Sequence, residues 1–108
     1  MKKAMDINTM RDNAGQASAL LSAMANEKRL LILCRLFEGE CSVGELAEVL
    51  DVRPSTVSQH LALLRKDGFV SARRDAQTLY YSLAGDEARA VLKALHALYC
   101  EPQSASAR

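Results

Sequence analysis

Apolar residues first fall into a regular rhythm at Ala17, Leu20, Leu21 and Met24, the spacing of one helix face. Residues 1–13 before them read as a flexible arm. Asn26 is a suitable cap for a second helix starting at Glu27. That helix carries Leu30, Leu31, Ile32, Leu33, Cys34, Leu36 and Phe37, apolar nearly all round, which predicts the central buried helix, closed by Gly39. Ser42 and Glu45 then form a capping-box pair ahead of a short third helix, whose buried face is Leu46, Ala47, Val49 and Leu50. After a turn at 51–53, Pro54 suits the first position of a fourth helix, where its missing N–H costs nothing, and Val57, Leu61 and Leu64 are its inward stripe.

After Gly68 the period drops from helical spacing to two. Residues 69–74 and 77–83 read as short strands, with Leu79, Tyr81 and Leu83 on one face and a polar connection around Asp75 and Ala76. From Gly85 a last helix runs to Cys100, with Ala88, Val91, Leu92, Leu95, Leu98 and Tyr99 on one side. The small, polar residues 101–108 read as a disordered tail. The expected fold is therefore mainly α with a β-hairpin wing, a winged helix-turn-helix ordered α1-α2-α3-α4-β1-β2-α5, with the domain spanning 14–100.

With 108 residues the chain makes one domain. At 49% hydrophobic and without tryptophan, it must build its core from aliphatic side chains, which suits packed helices. The net charge of +1 makes no global case for nucleic acid, so the argument rests on local basic patches. No apolar run reaches the length of a bilayer span, and the polar start has no signal-peptide core, so the expected location is cytoplasmic with no membrane partner. No nucleophile motif, phosphate loop or carboxylate pair stands out, so an enzyme is not expected, nor any cofactor.

In a helix-turn-helix the second helix leads with its N-terminal part into the major groove. With Val57 and Leu61 facing inward, Ser55, Thr56, Ser58, Gln59 and His60 are left outward or lateral. Glutamine can pair bidentately with adenine, and serine or threonine can serve several bases. Arg53, Arg65 and Lys66 flank that helix and are placed to hold phosphates. Arg73, Arg74 and Gln77 belong to the hairpin tip, where a wing meets the backbone or minor groove. Polar residues on an exposed helix can equally serve solubility, and the combination with a basic hairpin is what favours double-stranded operator DNA as the partner.

The first and last helices each carry an apolar stripe that so small a chain has few other surfaces to bury, which predicts a homodimer. A two-fold dimer presents two reading helices about 34 Å apart, matching an inverted repeat.

Three cysteines in a reducing compartment are core filler, metal ligands or redox groups. Cys34, inside the apolar second helix, reads as core. Cys41 precedes the cap of the third helix, where a helix N-terminus stabilises a thiolate, and Cys100 ends the last helix. Both are expected to be accessible, and as a pair they fit a sensor.

Four stretches resemble the ArsR family of bacterial repressors. They are Arg29-Leu30-Leu31-Ile32-Leu33-Cys34, Cys41-Ser42-Val43-Gly44-Glu45-Leu46, Ser58-Gln59-His60-Leu61-Ala62-Leu63-Leu64-Arg65 and Asp75-Ala76-Gln77-Thr78-Leu79-Tyr80-Tyr81-Ser82-Leu83. The resemblance implies a homodimeric repressor, built on its first and last helices and released from DNA by a chemical signal. Arg53 departs from the family pattern, since it stands where a serine cap is common.

Metal-sensing members often carry Cys-Val-Cys where this chain reads Cys41-Ser42-Val43, and others use an Asp/His set on the last helix that is missing here, so no metal ligand is assigned. Leu33-Cys34, Gly39-Glu40-Cys41-Ser42-Val43, Arg74-Asp75-Ala76-Gln77 and Leu98-Tyr99-Cys100 are similar to the persulfide-sensing subgroup of the BigR, SqrR, YgaV and HlyU type. That resemblance implies Cys41 and Cys100 as the redox-sensing pair and a persulfide or polysulfide as inducer, closing a disulfide or polysulfide bridge that weakens operator binding. A metal(loid)-responsive repressor and a virulence regulator that displaces a silencer are the alternatives it leaves.

Overall fold

A computed structural model describes residues 6–100 of the chain. The elements are α1 (Ile7–Met24), α2 (Glu27–Phe37), β1 (Cys41–Ser42), α3 (Val43–Leu50), α4 (Pro54–Lys66), β2 (Val70–Asp75), β3 (Thr78–Leu83) and α5 (Asp86–Tyr99). The tail expected at 101–108 lies outside the described residues, as do 1–5 of the arm.

The arm is shorter than the apolar pattern implied, because α1 begins at Ile7 rather than near 14. Asp6 supplies the reason. Its carboxylate accepts from the backbone N–H of Asn8 at 3.0 Å and from the Thr9 hydroxyl at 2.9 Å, satisfying the first turn without any apolar contact. Asn26 caps α2 by accepting from the Arg29 N–H at 3.1 Å, as its position suggested.

Helices α2, α3 and α4 meet in the core. Ile32, Leu33 and Leu36 of α2, Leu46 of α3, and Val57, Leu61 and Leu64 of α4 are all buried, joined by Leu92 of α5. Each such side chain contributes about 1.5–3 kcal/mol on burial. Two apolar positions expected inside face outward instead, Leu31 at 48% exposed and Val49 at 59%. Even α2, which meets several other elements, keeps one open strip at Leu31, so a continuous apolar run overstates the buried face.

The wing is larger than a hairpin. β2 and β3 pair antiparallel from Val70↔Leu83 to Asp75↔Thr78, and the two-residue β1 adds to the other edge of β3 through Cys41↔Tyr81 and Ser42↔Tyr80, giving the order β1-β3-β2. The turn at Ala76 and Gln77 places Ala76 at φ 59°, the left-handed backbone a tight hairpin needs.

Candidate nucleic-acid interface and thiol site

The turn between α3 and α4 is built by local chemistry. The Glu45 N–H donates to Ser42 Oγ at 3.1 Å and the Ser42 N–H donates to Glu45 Oε1 at 2.9 Å, so the expected capping box is closed in both directions. Asp51 ends α3 in the left-handed region at φ 56°, which an aspartate tolerates better than most residues. Pro54 then opens α4, and Arg53 at the cap position makes no side-chain capping bond. Val57, Leu61 and Leu64 are buried and seat α4 on the core.

The opposite face of α4 is polar and open. Arg53, Ser55, Ser58, Gln59, Arg65 and Lys66 are exposed, and Thr56 is half-buried. His60 departs from the expected set. The residue is half-buried, with Nδ1 buried and without a hydrogen-bond partner. Burial, and then the positive charges of Arg29 and Lys28, hold its pKa below the ordinary histidine value. It sits at the seam between α4 and α2 rather than on the reading face.

Arg73 also departs from its expected place. The tip is Ala76–Gln77, whereas Arg73 pairs with Tyr80 well inside the hairpin, and Arg74 pairs with Leu79 one rung nearer the tip. Arg73 Nε donates to both carboxylate oxygens of Glu40, at 3.1 and 3.0 Å, and its Nη2 donates to Oε1. Its guanidinium lies 5.0 Å from the Tyr80 ring centroid. The pairing lowers the Glu40 pKa and raises that of Arg73. Glu40 gave no sequence signal of this, because its partner lies 33 positions away. Arg74 and Gln77 are exposed near the tip, as expected.

The thiols are arranged differently from expectation. Cys41 is fully buried, on the inner face of the sheet opposite Tyr81, so it is not accessible. Burial is the largest influence on its pKa and raises it, against the lowering expected from the start of α3. Its strand pairing, invisible locally, turns the side chain into the core. Cys100 caps the C-terminal end of α5 and is exposed, with its N–H bonded to the His96 carbonyl at 2.8 Å.

Cys34 is partly exposed. Burial raises its pKa first, and the negative charge of a Cys100 thiolate raises it further. Helices α2 and α5 meet at Phe37. Arg89 of α5 stands over the Phe37 ring at 5.3 Å and donates to the Phe37 carbonyl at 3.4 Å, and the His96 ring stacks on Phe37 at 6.4 Å.

Apolar surface remains uncovered at the ends of the chain fold. Ile7 is 61% exposed, Leu21 57%, Leu98 70% and Tyr99 81%. An open groove of about 710 Å³ runs between α1 and α5, lined by Met10, Ala17, Leu20, Phe69, Ala88 and Val91 among others. No helix of the described residues is long and apolar enough to cross a membrane, and among those residues no cluster of three or more His, Cys, Asp or Glu could hold a metal ion.

A family model described as bacterial regulatory protein, arsR family, matches residues 26–72. Over 97 residues, 90% of each chain, the sequence is 50% identical to the transcriptional activator HlyU of Vibrio cholerae. The crystal structure of the transcriptional repressor BigR from Xylella fastidiosa superposes with a TM-score of 0.83 at 34% identity, covering 91% of this chain and 100% of that one. The solution structure of Mb0332 from Mycobacterium bovis, a homodimeric winged helix-turn-helix DNA-binding domain, gives 0.72 at 28% identity, covering 91% and 89%.

Proposed function

The chain belongs to the ArsR family of bacterial regulatory proteins, has the winged helix-turn-helix fold, and is a DNA-binding transcriptional regulator; we propose that it acts as a homodimeric repressor released from an inverted-repeat operator when a persulfide links Cys34 to Cys100. The observation that carries the DNA contact is the division of α4, with Val57, Leu61 and Leu64 buried while Ser55, Ser58 and Gln59 stand exposed between Arg53 and Arg65. Base contacts come from Ser55, Thr56, Ser58 and Gln59, and phosphate contacts from Arg53, Arg65, Lys66 and Arg74. Gln77 at the wing tip completes the surface. The exposed apolar residues of α1 and α5 are the dimer face, in keeping with the homodimer of the Mycobacterium bovis domain.

The exposure of the three cysteines supports this thiol assignment. Cys41 is sealed in the core, whereas Cys34 is partly exposed and Cys100 exposed, and Cys34 is the thiol on which a Cys100 thiolate bears. Exposed Cys100 reacts first. Its thiolate attacks the outer sulfur of a persulfide RSSH, releasing the thiol RSH and leaving a cysteine persulfide. The Cys34 thiolate then attacks the Cys100 Sγ, and hydrosulfide departs as the disulfide closes. In balance, two protein thiols and RSSH give one disulfide, RSH and hydrogen sulfide. If both thiols first take up sulfane sulfur, the same departure of hydrogen sulfide leaves a three-sulfur bridge, which spans a gap too wide for a disulfide. Either bridge ties the dimer helix α5 to α2, on which α4 rests, and so shifts one reading head relative to the other.

The HlyU relative is named an activator and BigR a repressor, so the same contacts serve either sign of control, according to what else occupies the promoter. The test is intact mass of the reduced protein after glutathione persulfide, hydrogen peroxide or arsenite, with binding to a selected duplex read in parallel. Loss of both thiols and of binding with persulfide, abolished in Cys34→Ser and Cys100→Ser and retained in Cys41→Ser, is the expected result. A response that persists in Cys34→Ser and vanishes in Cys41→Ser would return the pair to Cys41 and Cys100. Release by arsenite alone would indicate a metalloid sensor.

A further inference from the structure

The outer face of the wing carries a strap across all three strands. Arg73 on β2 reaches over Tyr80 of the central β3 to the carboxylate of Glu40, which immediately precedes β1. Both ends are charged, the contact is bidentate, and the aromatic face between them holds the guanidinium flat. Glu40 belongs to the connection leading from α2 into α3, so the strap joins the wing to the body that seats the reading helix. β1 itself offers only two paired residues for that purpose.

From this geometry we infer that Arg73 and Glu40 are positioning residues for DNA binding: they set the angle of the wing against α4, and Arg73 makes no phosphate contact of its own. An arginine on a wing is ordinarily read as a phosphate ligand, as the sequence alone suggests. Here Nε and Nη2 donate to Glu40 and one face lies over Tyr80, so the strongest contacts of the guanidinium are made within the wing, although Nη1 is unbonded among the described residues and the side chain is 56% exposed. Phosphate contact at the wing falls to Arg74, whose side chain has no ion pair among the described residues. The inference rests on the reading that α4 and the wing meet the duplex.

The two roles for Arg73 predict opposite signs for a change at Glu40. If Arg73 is a phosphate ligand, Glu40 competes with DNA, and Glu40→Gln frees the arginine and removes a repelling charge, so binding tightens. If the strap positions the wing, Glu40→Gln weakens binding although it makes the surface more positive. The experiment measures the affinity of full-length protein for a duplex selected by the wild type from a random library, across a salt series, with circular dichroism as a folding control. Glu40→Gln, Arg73→Gln and Arg73→Lys are each expected to bind about fivefold more weakly, the size of a well-formed surface pair. The double variant Glu40→Gln/Arg73→Gln loses no more than either single change. The slope of log affinity against log salt stays that of the wild type, whereas losing one phosphate contact lowers it by about 0.9.

Arg73→Lys separates the roles further, since lysine keeps a charge for a phosphate but loses the bidentate fork. Tighter binding by Glu40→Gln, wild-type binding by Arg73→Lys, a reduced slope in Arg73→Gln, or no change in any variant would each overturn the inference. Gln59→Ala in the same assay tests the underlying reading separately. If it leaves selective binding intact, or the wild type selects no duplex, then the reading of α4 and the wing as the DNA surface fails. If it abolishes selectivity and the strap variants misbehave, the strap alone fails.

Discussion

Helices α4 and α5 are both amphipathic and of nearly equal length, yet they are satisfied to different degrees. In α4 the whole apolar stripe is inside, with Val57 and Leu61 at 0% exposed and Leu64 at 1%. In α5 only Ala88 and Leu92 are buried, while Leu98 and Tyr99 near its end stand 70% and 81% exposed. A helix whose inward stripe is completed within its own protomer can present a mainly polar face to a ligand, and on α4 Leu63, at 52% exposed, is the large apolar side chain left outside. One left with uncovered apolar surface needs a second copy of the chain. On the proposed reading, the contrast separates the residues that hold the fold from those that assemble the dimer.

The largest test of this contrast is a truncation on each helix. Leu61→Ala removes a fully buried side chain among α2, α3 and α4 and is expected to cost about 2–5 kcal/mol in denaturant unfolding. Leu98→Ala, studied at concentrations low enough to keep the chain monomeric, is expected to stay within about 0.5 kcal/mol of the parent. Equal losses at both sites would mean that α5 is completed within the protomer after all.

Next in size is the loss of assembly. Leu98→Asp with Tyr99→Ser leaves monomer secondary structure unchanged but moves the sedimentation equilibrium from dimer to monomer. Binding to an inverted-repeat duplex then falls by about tenfold or more, since one reading head no longer brings the other with it. Binding to a single half-site is unchanged. A variant that stays dimeric would place the interface elsewhere. Comparable in size but different in kind is Ser55→Ala with Gln59→Ala on the polar face of α4. It is expected to cost about 1–3 kcal/mol of discrimination against a mutated site, with neither stability nor dimerisation affected. Unchanged discrimination would take both residues off the reading surface.

The parts of the molecule that could be read in advance are those fixed by neighbours in sequence. The Ser42–Glu45 box, Pro54 at the start of α4, and the Val57, Leu61, Leu64 stripe each involve residues three or four apart, so their spacing carries the structure directly. The parts that could not are those decided across the fold. β1 has too few residues to show a period, and its pairing with β3 is what buries Cys41. The Arg73–Glu40 pair spans the sheet. Cys34 reads as core because α2 is apolar on nearly every side, but only α5 decides which of those sides stays open. The partial exposure of Cys34 is therefore hidden by the pattern that makes α2 easy to find.

His60 gives the smallest effect and the finest division within α4. It stands beside Gln59, yet its Nδ1 is buried without a partner and its neighbours across the seam include Arg29 and Lys28. Burial first, and those charges second, disfavour the imidazolium, so its pKa in the folded chain lies below the ordinary histidine value. In the unfolded chain the ring takes its proton at the ordinary pH. As pH falls below that value the unfolded state binds a proton that the folded state refuses, and stability declines until the folded pKa is passed. The contribution is thus fully present above the unfolded pKa and lost on acidification. Replacing His60 with Asn should flatten the fall in melting temperature between about pH 7 and pH 5 relative to the wild type, while the value near neutral pH changes little. A variant that keeps the wild-type slope would show that the proton is taken up elsewhere. In that case His60 would return to the outward set with Gln59, and the boundary between the seated and the reading faces of α4 would move by one residue.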